Sequence, residues 1–176
     1  MGILGAILHH GVTTDVLELL TEQHKEVDQL FENLEKGVGD RRAQFQELAD
    51  KLAAHATVEE KVFYPAVMAK DTNSLLHESV EEHLAIKRVL ADMIEMRLDD
   101  DTFKAKLSVL KEQVSHHAHK EEEKKLFPIV KDLMSRDERA ALGNEVLVMF
   151  TELMAAHPSR TVPSETKEAA PLPTAR

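Results

Sequence analysis

An all-α fold, an antiparallel up-down-up-down four-helix bundle with an additional C-terminal helix, is predicted by three observations. Apolar residues recur at three- and four-residue steps over five stretches, and no run alternates as a strand would. Glycine and proline fall almost wholly between those stretches. The connectors are short, which favours antiparallel neighbours.

The first helix is expected to start near Thr13-Thr14-Asp15, whose side chains are good N-caps, and to end near Gly37 or Gly39. Its inner face reads Leu17, Leu20, His24, Val27, Phe31, Leu34. A second helix runs from about Asp40 to Tyr64, with Phe45, Leu48, Leu52, His55, Glu59 and Val62 on one face and Pro65 to end or kink it. The third spans about Ser74 to Leu98. The fourth runs from Asp101-Thr102 to Leu126, with Pro128 after it. The last helix is capped at Ser135, with Glu138 completing a capping box, and carries Leu142, Val146, Met149 or Phe150, and Leu153 inward. Residues 1–13 read as an N-terminal arm, 14–157 as the bundle, and 158–176 as a disordered Pro/Ala-rich tail.

Composition narrows the function classes. A chain of 176 residues is ordinarily one domain with a sizeable core. Cysteine is absent, which excludes disulfides, iron–sulfur clusters and thiol catalysis. A net charge of −10 argues against a nucleic-acid surface. The early apolar stretch Ile3 to Leu8 is far too short for a membrane span, and no secretory signal is evident, so the expected location is cytoplasmic.

The same pattern of metal-binding side chains occurs twice. His55 and Glu59 are matched 62 residues later by His117 and Glu121, and His24 is matched 59 residues later by His83. Apolar positions repeat with the same offsets: Phe45, Leu48 and Leu52 shift onto Leu107, Leu110 and Val114, and Val27, Phe31 and Leu34 onto Ile86, Leu90 and Met93. Residues four apart lie one above the other on a helix, so each HxxxE pair aims at one point. A carboxylate buried on an apolar seam is costly unless a cation takes its lone pairs. One inward histidine is ordinarily a hydrogen-bonded core residue. Four histidines and two glutamates in seam register are not explained that way. Six ligands suit two ions, with both glutamates bridging, an oxo, hydroxo or water bridge, and an open position. Nitrogen and oxygen donors without sulfur suit iron or manganese, with zinc as a competitor.

The segments HATVEEKVFYP at His55 to Pro65 and HAHKEEEKKLFP at His117 to Pro128, with LLTEQHKEVDQLF before them, resemble the bacterial hemerythrin-like (HHE cation-binding) domain. The likeness covers roughly residues 14–155. It implies a four-helix bundle holding a non-haem di-iron centre that binds or reacts with dioxygen, nitric oxide or peroxide. Position by position, His24, His55, His83 and His117 would be the imidazole ligands, and Glu59 and Glu121 the bridging carboxylates. Oxygen carriers of this kind have a further histidine one turn before the third-helix ligand, where this chain has Ser79. That departure turns the expectation from reversible carriage towards oxidase, peroxidase or sensor behaviour. Carriers also place the fourth-helix acid five residues after its histidine, which selects Glu122; the internal repeat selects Glu121 and is given precedence. Pro128 follows His117 by eleven residues where Pro65 follows His55 by ten, so one extra residue lies near that helix end.

Other residues have blander readings. His116 and His119 are lesser candidates for the place of His117. Asp28 is read as a surface acid or a partner of a ligand imidazole. Glu60 and Glu82 read as solvated face, and Tyr64 as helix-end packing or a neighbour of the metal. His9, His10, His77 and His157 read as surface residues, and the methionines as core filler.

The expected function is a non-haem di-iron protein, with two iron ions and an oxo or hydroxo bridge, that binds dioxygen or a related small oxidant for sensing or storage. The alternatives are a peroxide- or nitric-oxide-consuming enzyme and an iron-responsive protein that binds a partner through its tail or an exposed helix face. The expected partners are a small diatomic or peroxide ligand, with azide as a probe in vitro, and neither nucleic acid nor membrane.

Overall fold

The computed structural model describes residues 14–175; the expected N-terminal arm, with His9 and His10, lies outside them. Among the described residues seven α-helical segments form five rods. The first rod is α1 (Val16–Lys36). The second is α2 (Arg41–Val58), running without a break through a π-helical turn (Glu59–Phe63) into the short α3 (Tyr64–Val67). The third is α4 (Asn73–Ile94). The fourth repeats the second: α5 (Asp101–Ser115), a longer π-helical segment (His116–Leu126) and α6 (Phe127–Leu133). The fifth is α7 (Arg136–Ala155).

Local chemistry explains the boundaries. Asp15, Asp40, Asp100 and Ser135 each accept a backbone N–H with the side chain at a helix start. Ser135 and Glu138 close the expected capping box. Gly37 ends α1 at φ 66°, a left-handed conformation open to glycine. Neither Pro65 nor Pro128 stops its rod as expected. Each falls in the first turn of an α-helical segment that follows a π-helical one, where a missing backbone donor costs little. The third rod ends at Ile94, four residues before the expected Leu98.

Two apolar clusters fill the interior. One gathers Leu17, Leu20, Phe63, Tyr64, Leu126, Phe127, Val146 and Phe150, so α7 covers the end of the bundle near both prolines. The other gathers Phe31, Leu48, Leu52, Leu90, Phe103 and Leu110. Burying a leucine such as Leu48 or Leu110 completely is worth about 1.5–3 kcal/mol. Between the clusters lies a layer of buried histidines and glutamates.

The segment after α7 departs from the expected disordered tail. Residues Pro158–Glu165 form a 3-10 helix against α2 and α4, with Val162 fully in the second core cluster. Asp50, itself buried, anchors its start by accepting from Ser159 N at 3.1 Å and facing His157 Nδ1 at 3.0 Å. Two prolines, Pro158 and Pro163, limit the freedom lost on ordering, which is why a stretch without apolar period still packs. Ala169, Ala170 and Leu172 then lie against the first cluster.

Candidate metal centre

Each of the four central rods delivers one imidazole to the polar layer. His24 comes from α1, His55 from α2, His83 from α4 and His117 from the second π-helical segment. They meet in pairs through their Nε2 atoms, 3.2 Å apart for His24 and His55 and 3.0 Å for His83 and His117. Glu59 lies between the pairs, with Oε1 3.0 Å from His55 and Oε2 3.1 Å from His83.

The second carboxylate of the layer is Glu122, not Glu121. Glu122 Oε2 stands 3.2 Å from His24 Nε2 and 3.8 Å from His117 Nε2, and the residue is fully buried. Glu121 turns away, with its oxygens 2.7 and 2.6 Å from Lys125 Nζ and 3.3 Å from His116. The cause is the π-helical register of His116–Leu126, whose wide turn stacks residues five apart and absorbs the extra residue of this rod. The internal offset therefore changes at this point, and Glu59 corresponds to Glu122 at 63 residues, as Pro65 does to Pro128. Two groups of converging donors result: His24, His55, Glu59 and Glu122, and Glu59, His83 and His117.

Every imidazole is oriented from behind. His24 Nδ1 faces Glu123 Oε1 at 2.7 Å and His83 Nδ1 faces Glu60 Oε1 at 3.0 Å. His55 Nδ1 faces Gln23 Oε1 at 2.8 Å and His117 Nδ1 faces Glu82 Oε2 at 2.7 Å. Acceptors at all four Nδ1 atoms place the proton there and leave each Nε2 lone pair aimed inward. Glu60 and Glu82, expected on the solvated face, have this task instead. They had a visible signal: Gln23 and Glu82 each precede a central histidine, and Glu60 and Glu123 each follow a central glutamate. His116 is half exposed, His77 exposed, and neither reaches the layer; His119 pairs with Asp28 on the outside.

Tyr64 enters the centre rather than packing at the helix end. Five residues beyond Glu59 on the π turn, its fully buried hydroxyl donates to Glu122 Oε1 at 2.9 Å and lies 3.2 Å from Glu59 Oε2. It also stands 3.3 Å from His83 Nε2 and 3.4 Å from His117 Nε2. Buried Ser79 lies near the phenol, so serine and tyrosine share the space beside the His83 pair. Burial, then the charges of Glu122 and Glu59, holds the phenol well above its usual titration range, so it stays a hydrogen donor.

Electrostatics describes a site built for cations. Burial works to lower the His24 value, but the Glu122 carboxylate beside its Nε2 and the hydrogen bond to Glu123 win and push it up to about 9. His117 is pushed up to about 10 against burial by the Glu122 charge, by the nearby Glu59 carboxylate and by its hydrogen bond to Glu82. Burial tends to raise Glu59, but the neighbouring His55, His117 and His83 hold it well below the carboxylate range. No hydrogen-bond donor is aimed at Glu59 Oε1 or Glu122 Oε2, although both are buried. Orphaned carboxylate oxygens facing paired imidazole lone pairs fit positive ions in place of those protons.

A small cavity of about 30 Å³ adjoins the four imidazoles. Its apolar wall is Val27, Leu52, Ile86 and Val114; no carboxylate of the layer lines it. Phe31 and Leu90 lie in the cluster beyond this wall and Val80 in the other.

Residues 15–130 match the family described as "Hemerythrin HHE cation binding domain", and the chain belongs to that family. Its structure is similar to the crystal structure of a hemerythrin HHE cation-binding domain-containing protein, the Rv2633c homolog from Mycobacterium kansasii. The TM-score is 0.72 at 20% identity, over 84% of this chain and 99% of that one, a likeness of fold. No curated protein matches the chain in sequence. Family and His/Glu groups together support a hemerythrin-like site of the di-iron, dioxygen-binding type. Among the described residues no helix is long and apolar enough to cross a membrane.

Proposed function

We propose that the chain holds two non-haem iron ions, one by His24 and His55 and one by His83 and His117, with Glu59 and Glu122 spanning both and an oxo or hydroxo bridge between them. It binds dioxygen or a related small oxidant there, for storage or sensing. The observation that carries this reading is the convergence of two imidazole pairs on two buried carboxylates, each with an oxygen that lacks a donor. Iron held by these residues would supply the electrons for a small oxidant. The chain supplies the remainder. Gln23, Glu60, Glu82 and Glu123 hold the imidazole protons at Nδ1 and fix the rings. Val27, Leu52, Ile86 and Val114 keep water from the imidazole side and leave room for a diatomic molecule. Tyr64 orients the two carboxylates from the other side.

Tyr64 also favours a second reading, consumption of peroxide or nitric oxide. Its hydroxyl is a proton donor within 3.4 Å of two imidazoles, in a site that lacks the fifth histidine of an oxygen carrier. Metal analysis of untagged protein, with absorption spectra before and after azide, tests the common ground. About two irons per chain and an azide-shifted charge-transfer band are expected from the two donor groups; zinc without such a band contradicts the proposal. Rapid peroxide loss without added reductant would select the enzyme, and a stoichiometric colour change the carrier or sensor.

A further inference from the structure

Behind His24, on the outer surface of the bundle, a second constellation of metal-binding side chains is left unexplained by the centre. His119 stands between two carboxylates: its Nε2 is 2.8 Å from Asp28 Oδ2 and its Nδ1 is 3.1 Å from Glu123 Oε1. The three side chains come from α1 and the second π-helical segment and are 38%, 32% and 27% exposed for Asp28, His119 and Glu123, so an ion can reach them from solvent.

The other half of the molecule shows what ordinarily stands in this place. Glu60 corresponds to Glu123, and Lys87 lies 59 residues after Asp28. There the Lys87 ammonium bonds both oxygens of Glu60 at 2.9 Å, and Glu165 of the 3-10 helix closes over it at 3.1 Å. A permanent cation thus backs His83. In the His24 half the lysine is replaced by an acid, and the carboxylate behind the ligand histidine meets an imidazole. Asp28 and Glu123 face the two ring nitrogens of His119, and Nδ1 stands beside the Glu123 oxygen that also meets His24 Nδ1. A cation, a metal ion or a proton, fits between that nitrogen and that oxygen.

We propose that Asp28, His119 and Glu123 form an outer, exchangeable site for one divalent transition-metal ion, with His119 Nδ1 and Glu123 as ligands and Asp28 setting the histidine tautomer. A nitrogen and an oxygen donor without sulfur suit manganese, ferrous iron or zinc. Two protein ligands leave the remaining positions to water, which makes the ion easy to exchange. An acceptor on the far ring nitrogen is the arrangement that strengthens a ligand histidine. The site shares with the function proposed above only Glu123, which also takes the Nδ1 proton of His24.

The test uses the full chain with its core filled, washed with a chelator and titrated with Mn²⁺ while free Mn²⁺ is followed by electron paramagnetic resonance. One Mn²⁺ per chain beyond the core is expected, removable by a second wash. His119→Ala and Asp28→Asn are expected to weaken it by about tenfold or more, with core iron and its absorption unchanged. Binding as tight in both variants as in the wild type, or no extra Mn²⁺ at millimolar concentration, overturns the proposal; a proton on Nδ1 is then the occupant. Mn²⁺ that enters an iron-free core would persist in His119→Ala. That result counts against the function reading and leaves the outer site decided by the difference between wild type and variant.

Discussion

The half of the molecule that carries His24 and His55 and the half that carries His83 and His117 are copies that have been made unequal. Both present two imidazoles and one buried carboxylate, both fix Nδ1 from behind, and both stack an aromatic ring on the first histidine. The differences sit one layer out. Tyr64 stacks on His83 at 5.5 Å with its hydroxyl in the centre, while Phe127, at the corresponding position, stacks on His24 at 6.2 Å with no polar atom to offer. Glu82 backs His117 where neutral Gln23 backs His55. Lys87 closes one flank under the 3-10 helix, and Asp28 with His119 leaves the other open. If two ions are bound as proposed, the duplicated ligands would hold both and the unequal surroundings would make them inequivalent. The His83 half has the proton donor and a carboxylate behind both imidazoles, and the His24 half has the more exposed flank.

The largest effect should come from breaking what the halves share. Glu122→Gln is expected to reduce core metal per chain by about tenfold or more, whereas Glu121→Gln leaves it within about twofold, because Glu121 is bound to Lys125 instead. Elemental analysis of the two proteins checks this, and equal losses would return the second carboxylate to the position the plain repeat indicates. Next comes the phenol. Tyr64→Phe removes the donor to Glu122 and Glu59 and should cost the metal-free chain about 1–3 kcal/mol in denaturant unfolding, an effect that Phe127→Tyr does not restore. A neutral Tyr64→Phe would mean that the hydroxyl is a bystander.

A smaller change should level the halves without breaking either. Glu82→Gln gives His117 the neutral partner that His55 has, and is expected to weaken metal at that position by about tenfold, while Gln23→Glu strengthens the other. Competition with a chelator reads both, and opposite signs are the point of the experiment. The most gradual effect is the pH dependence of the metal-free chain. His24 and His117 titrate in the folded state at about 9 and about 10, above their ordinary 6.5. The stabilisation from those protons is complete below about pH 6.5 and is lost as pH rises through about 9 and 10. Thermal unfolding of the metal-free chain should therefore weaken from neutral to alkaline pH, and bound metal should flatten that slope. A metal-free chain whose midpoint rises over this range would contradict the assignment of these protons.

Much of this was legible in the residues. The five rods follow from apolar periodicity and from caps at Asp15, Asp40 and Ser135, and the four central imidazoles from seam register. The second carboxylate was not, because a repeat counted at a constant offset assumes α-helical stacking throughout. The extra residue between His117 and Pro128 was visible; its absorption between His117 and Glu122, by a wide turn, depends on the backbone path. Tyr64 was hidden for the same reason: five residues beyond Glu59 it leaves the face on an α-helix and returns to it on a π turn. The 3-10 helix escaped because its buried residues, Pro158, Ser159 and Val162, show no apolar period and their partner Asp50 is far away in sequence.

Mössbauer spectroscopy of the ⁵⁷Fe-loaded protein tests most directly that two like ligand sets hold two unlike ions. Two quadrupole doublets of equal area are expected, with Tyr64→Phe shifting one of them and leaving the other in place. A single doublet that moves as a whole, or the magnetic pattern of an isolated ferric ion, would contradict a pair of inequivalent irons bridged by Glu59 and Glu122.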